Sequence, residues 1–296
     1  MTAGAIVISG AGGLIGSALI ESLGDRPVLR LSRKSGAGSV HWDPTEASFD
    51  AAPLDGCDAV VHLAGEPIAA SRWRPAVKDR IRTSRVEGTR MLVRGLRGLT
   101  RPPRALICAS AIGYYGDRGE ELLTESSPAG SDFLAEACRE WEESAGFARE
   151  AGIRVVSLRI GIVLSAQGGA LAKMLTPFRL GAGGRLGHGR QWMSWIHIED
   201  LVRAIGHTMK DESLSGPVNA VSPEPVRNAE FTRALARVLR RPALFPAPAL
   251  ALRLALGEMA DALLLSSQRV VPSLLTGRGF SWKHRDLGKA LGHLLA

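Results

Sequence analysis

Near the start of a 296-residue chain run Ala5-Ile6-Val7-Ile8-Ser9, Gly10-Ala11-Gly12-Gly13-Leu14-Ile15-Gly16 and Ser17-Ala18-Leu19-Ile20-Glu21-Ser22-Leu23. The opening apolar run has the composition of a parallel strand buried on both faces. Glycines follow at once, and Leu14, Ala18, Leu19 and Leu23 then recur at helical spacing. Strand, glycine turn and helix in that order form the context that a dinucleotide-binding fingerprint requires. Gly10 supplies the tight turn, Gly13 a close approach of backbone N–H groups to a pyrophosphate, and Gly16 a tight packing of helix on strand. The helix then presents its partial positive charge, with Leu14 and Ile15 in its first turn, to the phosphates. The expected fold is α/β: a Rossmann-type doubly wound parallel sheet with a smaller, mostly helical C-terminal substrate region.

Size and composition agree with that frame. A chain of this length buries a large core, and 45% hydrophobic with 22% charged residues is ordinary for a globular protein. The N-terminal apolar run is too short for a signal peptide, and Pro246 to Leu265 carries Arg253, Glu258 and Asp261, which argues against a membrane span. A cytoplasmic setting is expected. Cys57, Cys108 and Cys138 lie far apart, so neither a disulfide framework nor a zinc knuckle fits, and buried thiols are expected. The net charge of +8 comes from scattered arginines, and the cluster from Arg94 to Arg104 has no interleaved aromatics on which bases could stack. Nucleic acid is therefore not an expected partner, and a small molecule is.

A second strand, Pro27 to Leu31, ends in Ser32-Arg33-Lys34. In a nicotinamide site this strand end faces the adenosine ribose, where an acidic residue selects NAD and a basic one accommodates the 2′-phosphate of NADP. No Asp or Glu occurs between Arg26 and Trp42. Ser32, Arg33 and Lys34 thus predict NADP(H), with Arg33 as the phosphate clamp. Further buried strands are read at Asp58 to Leu63, Arg104 to Ala109 and Gly152 to Leu158, with helices over Pro75 to Leu99 and Ser131 to Ala151.

The Gly-x-x-Gly-x-x-Gly spacing resembles the extended branch of the short-chain dehydrogenase/reductases, and later segments extend that likeness in order. Leu63-Ala64-Gly65-Glu66 is similar to the element lining the adenine and ribose side, with His62 where asparagine is common. Ser84-Arg85-Val86-Glu87-Gly88-Thr89 resembles Asn-Val-x-Gly-Thr with Arg85 replacing asparagine, and Arg82 stands one turn away as a residue for the cofactor side. Ala109-Ser110-Ala111-Ile112-Gly113-Tyr114-Tyr115-Gly116 resembles the active-site element Ser-Ser-x-x-x-Tyr-Gly, with Ala111 where a catalytic Ser or Thr is usual. Arg159-Ile160-Gly161-Ile162-Val163 resembles the segment bordering the nicotinamide. Gly168 to Gly189 reads as a glycine-rich wall or lid, and Ile196-His197-Ile198-Glu199-Asp200 as the element bracing the domain junction. With Ser266-Ser267-Gln268-Arg269-Val270-Val271-Pro272 near the end, the whole is similar to atypical extended members described as NAD-dependent epimerase/dehydratase-like, which carry a C-terminal domain of unknown function.

That resemblance implies an NADP-binding unit over residues 1–165, to which 195–222 return, and a substrate-side region over 166–296. It also implies a homodimer through the helices Pro75–Leu99 and Ser131–Ala151. One departure bears on function. The Tyr-x-x-x-Lys pair of the superfamily is missing: the only tyrosines are Tyr114 and Tyr115, and no lysine occurs between Lys78 and Lys173. If Glu142 aligns with the usual glutamate, Leu134 and Cys138 take the catalytic positions. Tyr114 and Tyr115 become the candidate proton donors, on opposite sides of an extended segment, with Glu66 and His197 behind them. Two readings stay open: an oxidoreductase or epimerase on a small carbonyl or sugar-like substrate, and a non-catalytic NADP(H)-binding sensor or scaffold.

Overall fold

The computed structural model describes residues 4–34, 36–46 and 49–296. Seven parallel strands make the central sheet, and the four most completely buried lie in its middle. In chain order the sheet strands are β1 (Ile6–Ser9), β2 (Val28–Ser32), β3 (Ser39–His41), β4 (Ala59–His62), β5 (Ala105–Ala111), β7 (Arg154–Ile160) and β11 (Gly216–Ala220). Short strands outside it are β6 (Leu122–Leu123), β8 (Ile162–Leu164), β9 (Trp192–Met193), β10 (Trp195–His197), β12 (Val226–Arg227) and β13 (Arg269–Val270). The spatial order across the sheet is β11-β7-β5-β4-β1-β2-β3. Every pairing is parallel. The chain starts at β1, works outward to β3, then returns to lay β4 on β1's other side, so the order reverses between β1 and β4. Ligands of doubly wound sheets bind at that reversal, beyond the carboxyl ends of the strands.

The helices are α1 (Leu14–Leu23), α2 (Pro75–Arg97), α3 (Phe133–Gly146), α4 (Gly169–Arg179), α5 (Ile198–Lys210), α6 (Asn228–Leu239), α7 (Ala249–Leu256), α8 (Glu258–Ala260), α9 (Ser273–Gly277) and α10 (Leu287–Leu295). Right-handed crossovers from β1 to β2 and from β4 to β5 run in opposite directions, which puts α1 and α2 on opposite faces. α1 accordingly packs with α5, and α2 with α3. Residues 162–295 build a second core around Leu171, Phe178, Trp195, Phe231 and Leu291. The tail also returns to the first core, where Leu275 and Phe280 are buried.

The structure moves several expected boundaries. The second helix of the α2–α3 pair ends at Gly146, and Phe147–Ala151 is a 3₁₀ turn. Gly168 to Gly189 is not all loop: its first half forms α4, whose Leu171, Leu175 and Phe178 fill the second core. Tyr114 and Tyr115 are not extended but lie in a 3₁₀ turn, Ile112–Tyr115. Cys57, Cys108 and Cys138 are free and buried, as their spacing implied.

Candidate cofactor and active site

At the β1–α1 turn, glycine is required by contact. Gly10 has φ +69°, and a Cβ there would sit 3.0 Å from the backbone of Leu63 and Ala64. A Cβ on Gly16 would lie 2.3 Å from the Gly10 carbonyl oxygen. Gly13 uses its N–H within the turn, donating to Gly10 O at 2.9 Å. No side chain caps α1 among the described residues, which leaves the next amides, Leu14 and Ile15, without a side-chain acceptor there.

Ser9 and His62 fix this turn to the end of β4. Ser9 Oγ accepts the N–H groups of Leu63 (3.1 Å) and Ala64 (3.2 Å) and lies 2.6 Å from His62 Nδ1. Its one hydrogen therefore goes to His62 Nδ1, which must be unprotonated, and His62 Nε2 donates to Thr89 Oγ1 at 3.0 Å. His62 is neutral, and burial, then the Arg85 charge, push its pKa down to about 4. It is a structural histidine, holding the β1 and β4 ends to α2.

Beyond β2, Arg33 and Lys34 are exposed, and neither forms an ion pair among the described residues. The nearby carboxylate of Asp43 is turned to Thr45, accepting its N–H at 2.9 Å and its hydroxyl at 2.7 Å. Lys34 N–H donates to Ser32 Oγ, which shapes the turn. At the end of β4, Glu66 N–H donates to Ser84 Oγ, and Glu66 O accepts from Arg85 Nη1 at 3.0 Å.

Arg82, Ser110 and Arg159, read from the sequence as cofactor contacts, also have partners within the chain. Arg82 is exposed and forks onto Glu140 of α3 at 2.5–2.6 Å. Ser110 donates to Glu142 at 2.7 Å. Arg159 is buried and forks onto the same Glu142 at 2.8–2.9 Å. Ala109, which precedes Ser110 in β5, is buried within the strand. The partner of all three is a carboxylate on α3 that the sequence could not place against them.

Arg159 ties this network to both tyrosines. Its guanidinium lies 3.4 Å from the Tyr114 ring centroid, and Nη1 donates to Tyr115 Oη at 3.1 Å. Tyr115 Oη lies 2.7 Å from Asn219 Oδ1, on the sheet's last strand. The Tyr115 phenol is fully buried, and burial raises its pKa to about 12 despite the Arg159 charge. It fastens the turn after β5 to β11. Tyr114 is partly buried, and its hydroxyl makes no hydrogen bond among the described residues. Arg118, four residues beyond Tyr114, forks onto Glu121.

A cleft of about 290 Å³ opens beside this turn, between Trp73, Asp117, Asp132 and Phe133 on one side and Arg253 and Asp261 on the other. Asp132 caps α3 through Ala135 N–H at 2.9 Å. Asp117 accepts Ser267 N–H at 2.9 Å, and Gln268 reaches Gly116 O at 3.2 Å. The Ser-Ser-Gln-Arg tail therefore fastens the residues after the tyrosines to the C-terminal region, a role that its sequence did not reveal. A larger groove of about 470 Å³ lies along the end of α6, lined only by residues from Thr232 to Ala243, and touches no strand end.

His197 caps α5, its Nδ1 accepting Glu199 N–H at 3.0 Å, and it stacks on His284 with ring centroids 3.7 Å apart. Its Nε2 lies 3.2 Å from His293 Nδ1. The ligand atoms of the three histidines fall within 4.8 Å of one another. With Nδ1 accepting, however, the neutral His197 ring carries its proton on Nε2 and has no lone pair left for a metal. The trio braces the junction.

A seven-stranded parallel sheet in doubly wound order, with a glycine turn and an uncapped helix at its reversal, defines a Rossmann-type nucleotide-binding protein. Residues 6–220 match the NAD dependent epimerase/dehydratase family and residues 247–294 a domain of unknown function (DUF1731); the chain belongs to that epimerase family. It is 44% identical to the epimerase family protein Mb2239 of Mycobacterium bovis over 292 residues, 97% of this chain and 96% of that one. The crystal structure of human epimerase family protein SDR39U1 (isoform 2) with NADPH superposes with a TM-score of 0.91 at 33% identity, covering 98% of this chain and 99% of that one. UDP-glucose 4-epimerase of Thermotoga maritima shares the fold at 17% identity and a TM-score of 0.74, over 98% and 97% of the two chains. Among the described residues, no helix is long and apolar enough to cross a membrane.

Proposed function

We propose that this chain binds NADP(H) and works as an oxidoreductase or epimerase on a small carbonyl or sugar-like substrate. The observation that carries the cofactor reading is the pairing of α1 amides that no side chain caps with exposed Arg33 and Lys34, neither of which is in an ion pair among the described residues. The NADPH bound to the human relative supports it. The close approaches at Gly10 and Gly16 fit a backbone cradle that admits a pyrophosphate and no side chains. When bound, the cofactor supplies or accepts hydride. The chain's own part is to hold the dinucleotide at the strand ends, cover the substrate with the C-terminal region, and hold a proton at Tyr114 Oη. Calorimetry tests the cofactor choice: NADPH is expected to bind more tightly than NADH, and equal affinities overturn it.

The second reading, a non-catalytic NADP(H) sensor or scaffold, draws support from Ser110, Glu142, Arg159 and Tyr115 being engaged with one another. The two readings separate on turnover. Protein loaded with NADPH loses its 340 nm absorbance on exposure to a panel of small carbonyl compounds if it is an enzyme, and keeps it throughout if it is a sensor. We also propose a homodimer through α2 and α3. Glu140 neutralises Arg82 within the chain, which lessens the like-charge repulsion of facing copies. Sedimentation showing only monomer at high concentration rules the dimer out.

A further inference from the structure

α7 is apolar in composition yet lies at the surface. Seven of its eight residues are alanine or leucine, and none is buried. A helix of that composition normally lies inside a protein. Leu250 and Leu254 stand one turn apart on its outer side, 68% and 71% exposed. Ala249 and Arg253, on the neighbouring stripe, line the cleft. The loop before α7 adds Leu244 and Phe245, 75% and 66% exposed. Half of the large apolar side chains exposed among the described residues thus fall between Leu244 and Leu254. A bridge between Leu186 and Ala247 ties this strip to the loop after α4, which begins at Leu180, itself exposed.

Cations flank the strip without counter-charge. Arg233, Arg237, Arg240 and Arg241 line the groove along the end of α6, whose last residue, Ala243, precedes Leu244. Arg179 and Arg185 bracket the start of the loop after α4. All six are exposed, and none forms an ion pair among the described residues. The sequence explains why: no Asp or Glu occurs between Glu150 and Glu199, or between Glu230 and Glu258. An exposed apolar strip rimmed by polar groups marks an interaction surface. A second copy fits it poorly, because facing copies would bring arginines together. The large apolar side chains protrude, which suits insertion into the acyl boundary of a bilayer, while the arginines beside them reach headgroup phosphates. We propose that this face docks the protein on an anionic lipid surface. Docking involves no span, since an eight-residue helix is too short to cross a bilayer. The surface stands apart from the cofactor reading.

The test is cosedimentation of the full chain with vesicles of phosphatidylglycerol and phosphatidylcholine in equal parts, and with vesicles of phosphatidylcholine alone. Binding to the first is expected, weakening as salt rises, and binding to the second should be at least about tenfold weaker. Arg237→Ala with Arg241→Ala should lower the partition coefficient about 25-fold, from about fivefold for each arginine. Phe245→Ser with Leu250→Ser should lower it about tenfold or more. Wild-type binding in the serine variant means that charge alone holds the chain, and overturns the proposal; so does a wild type that binds neither vesicle. Polyglutamate tests an acidic protein as the occupant. If the wild type binds it as tightly as the anionic vesicles, and both variants lose it, the proposal fails. A dimer in sedimentation velocity that the serine variant dissolves assigns the face to a second copy, and likewise overturns it. Should a variant fail to fold, a fluorophore sensitive to its surroundings, attached at Leu250→Cys, reads insertion directly, because Cys57, Cys108 and Cys138 are buried. Its emission is expected to shift to the blue on anionic vesicles, whereas the same label at Phe147→Cys, beyond α3, stays unchanged. No shift at the first position, or equal shifts at both, overturns the proposal.

Discussion

Single residues carry the choice of cofactor and the chemistry. Arg33 is exposed and in no ion pair among the described residues, so its guanidinium is open to a 2′-phosphate; Arg33→Ala should remove about 1.5–3 kcal/mol of the preference for NADPH over NADH, measured as a ratio of dissociation constants. The two tyrosines separate by environment. Tyr114→Phe is expected to lower kcat by roughly 10²–10⁴-fold with NADPH affinity unchanged, the pattern of a lost proton donor. Tyr115→Phe removes a buried bond to Asn219 and should instead lower stability by about 1 kcal/mol, read by denaturant unfolding. Wild-type turnover in Tyr114→Phe would leave Glu66 and His197 as the next donors to examine. The sequence carried more of this than was read from it. Ile81, Gly88 and Leu92 are buried on one stripe of α2, and Arg85 falls on that stripe while Arg82 does not. Helical phase alone thus separates partly buried Arg85 from exposed Arg82. Nothing comparable foretold Arg159, because its partner Glu142 lies on another helix and only the fold brings them together.

Elements were legible where local chemistry was strong. The β1–α1 turn is the clearest case, because Gly10 and Gly16 answer to close backbone contacts that leave no room for a Cβ. Gly16→Ala would force its new methyl against the Gly10 carbonyl, and is expected to cost about 1–3 kcal/mol and to abolish NADPH binding. A stable variant with wild-type affinity would mean that the turn relaxes at no cost and that the third glycine is not needed. Sheet strands followed from their apolar runs, with ends displaced by a residue or two. Two elements were misread for physical reasons. Ile112–Tyr115 follows β5 without a break in apolar character, so nothing in its composition marks the change from strand to 3₁₀ turn. α4 lies among glycines, but its buried Leu171, Leu175 and Phe178 show that tertiary packing outweighs local propensity there.

For the whole molecule, two buried histidines set the dependence of stability on pH. His62 lies in the first core between β1, β4 and α2, and His197 at the junction with the C-terminal region. Burial lowers both to about 4, helped at His62 by Arg85 and at His197 by His284 and His293. An unfolded chain protonates each near 6.5, whereas the folded chain resists until about 4. As pH falls through that interval the unfolded state binds protons that the native state refuses. Stability is therefore complete above about pH 6.5 and is lost progressively toward pH 4, by on the order of 2–3 kcal/mol for each histidine. Glu199, held at about 2 by bonds from His284 and Lys283, adds its loss from the ordinary carboxylate range downward. The expected melting profile thus begins to fall well before carboxylates titrate. His62→Asn offers an acceptor near the Nδ1 position and cannot take up a proton. It should be less stable at pH 7.5, yet its melting temperature should fall less steeply between pH 6.5 and 4.5. A wild-type profile that is flat over that interval would show that neither ring is held neutral by the fold.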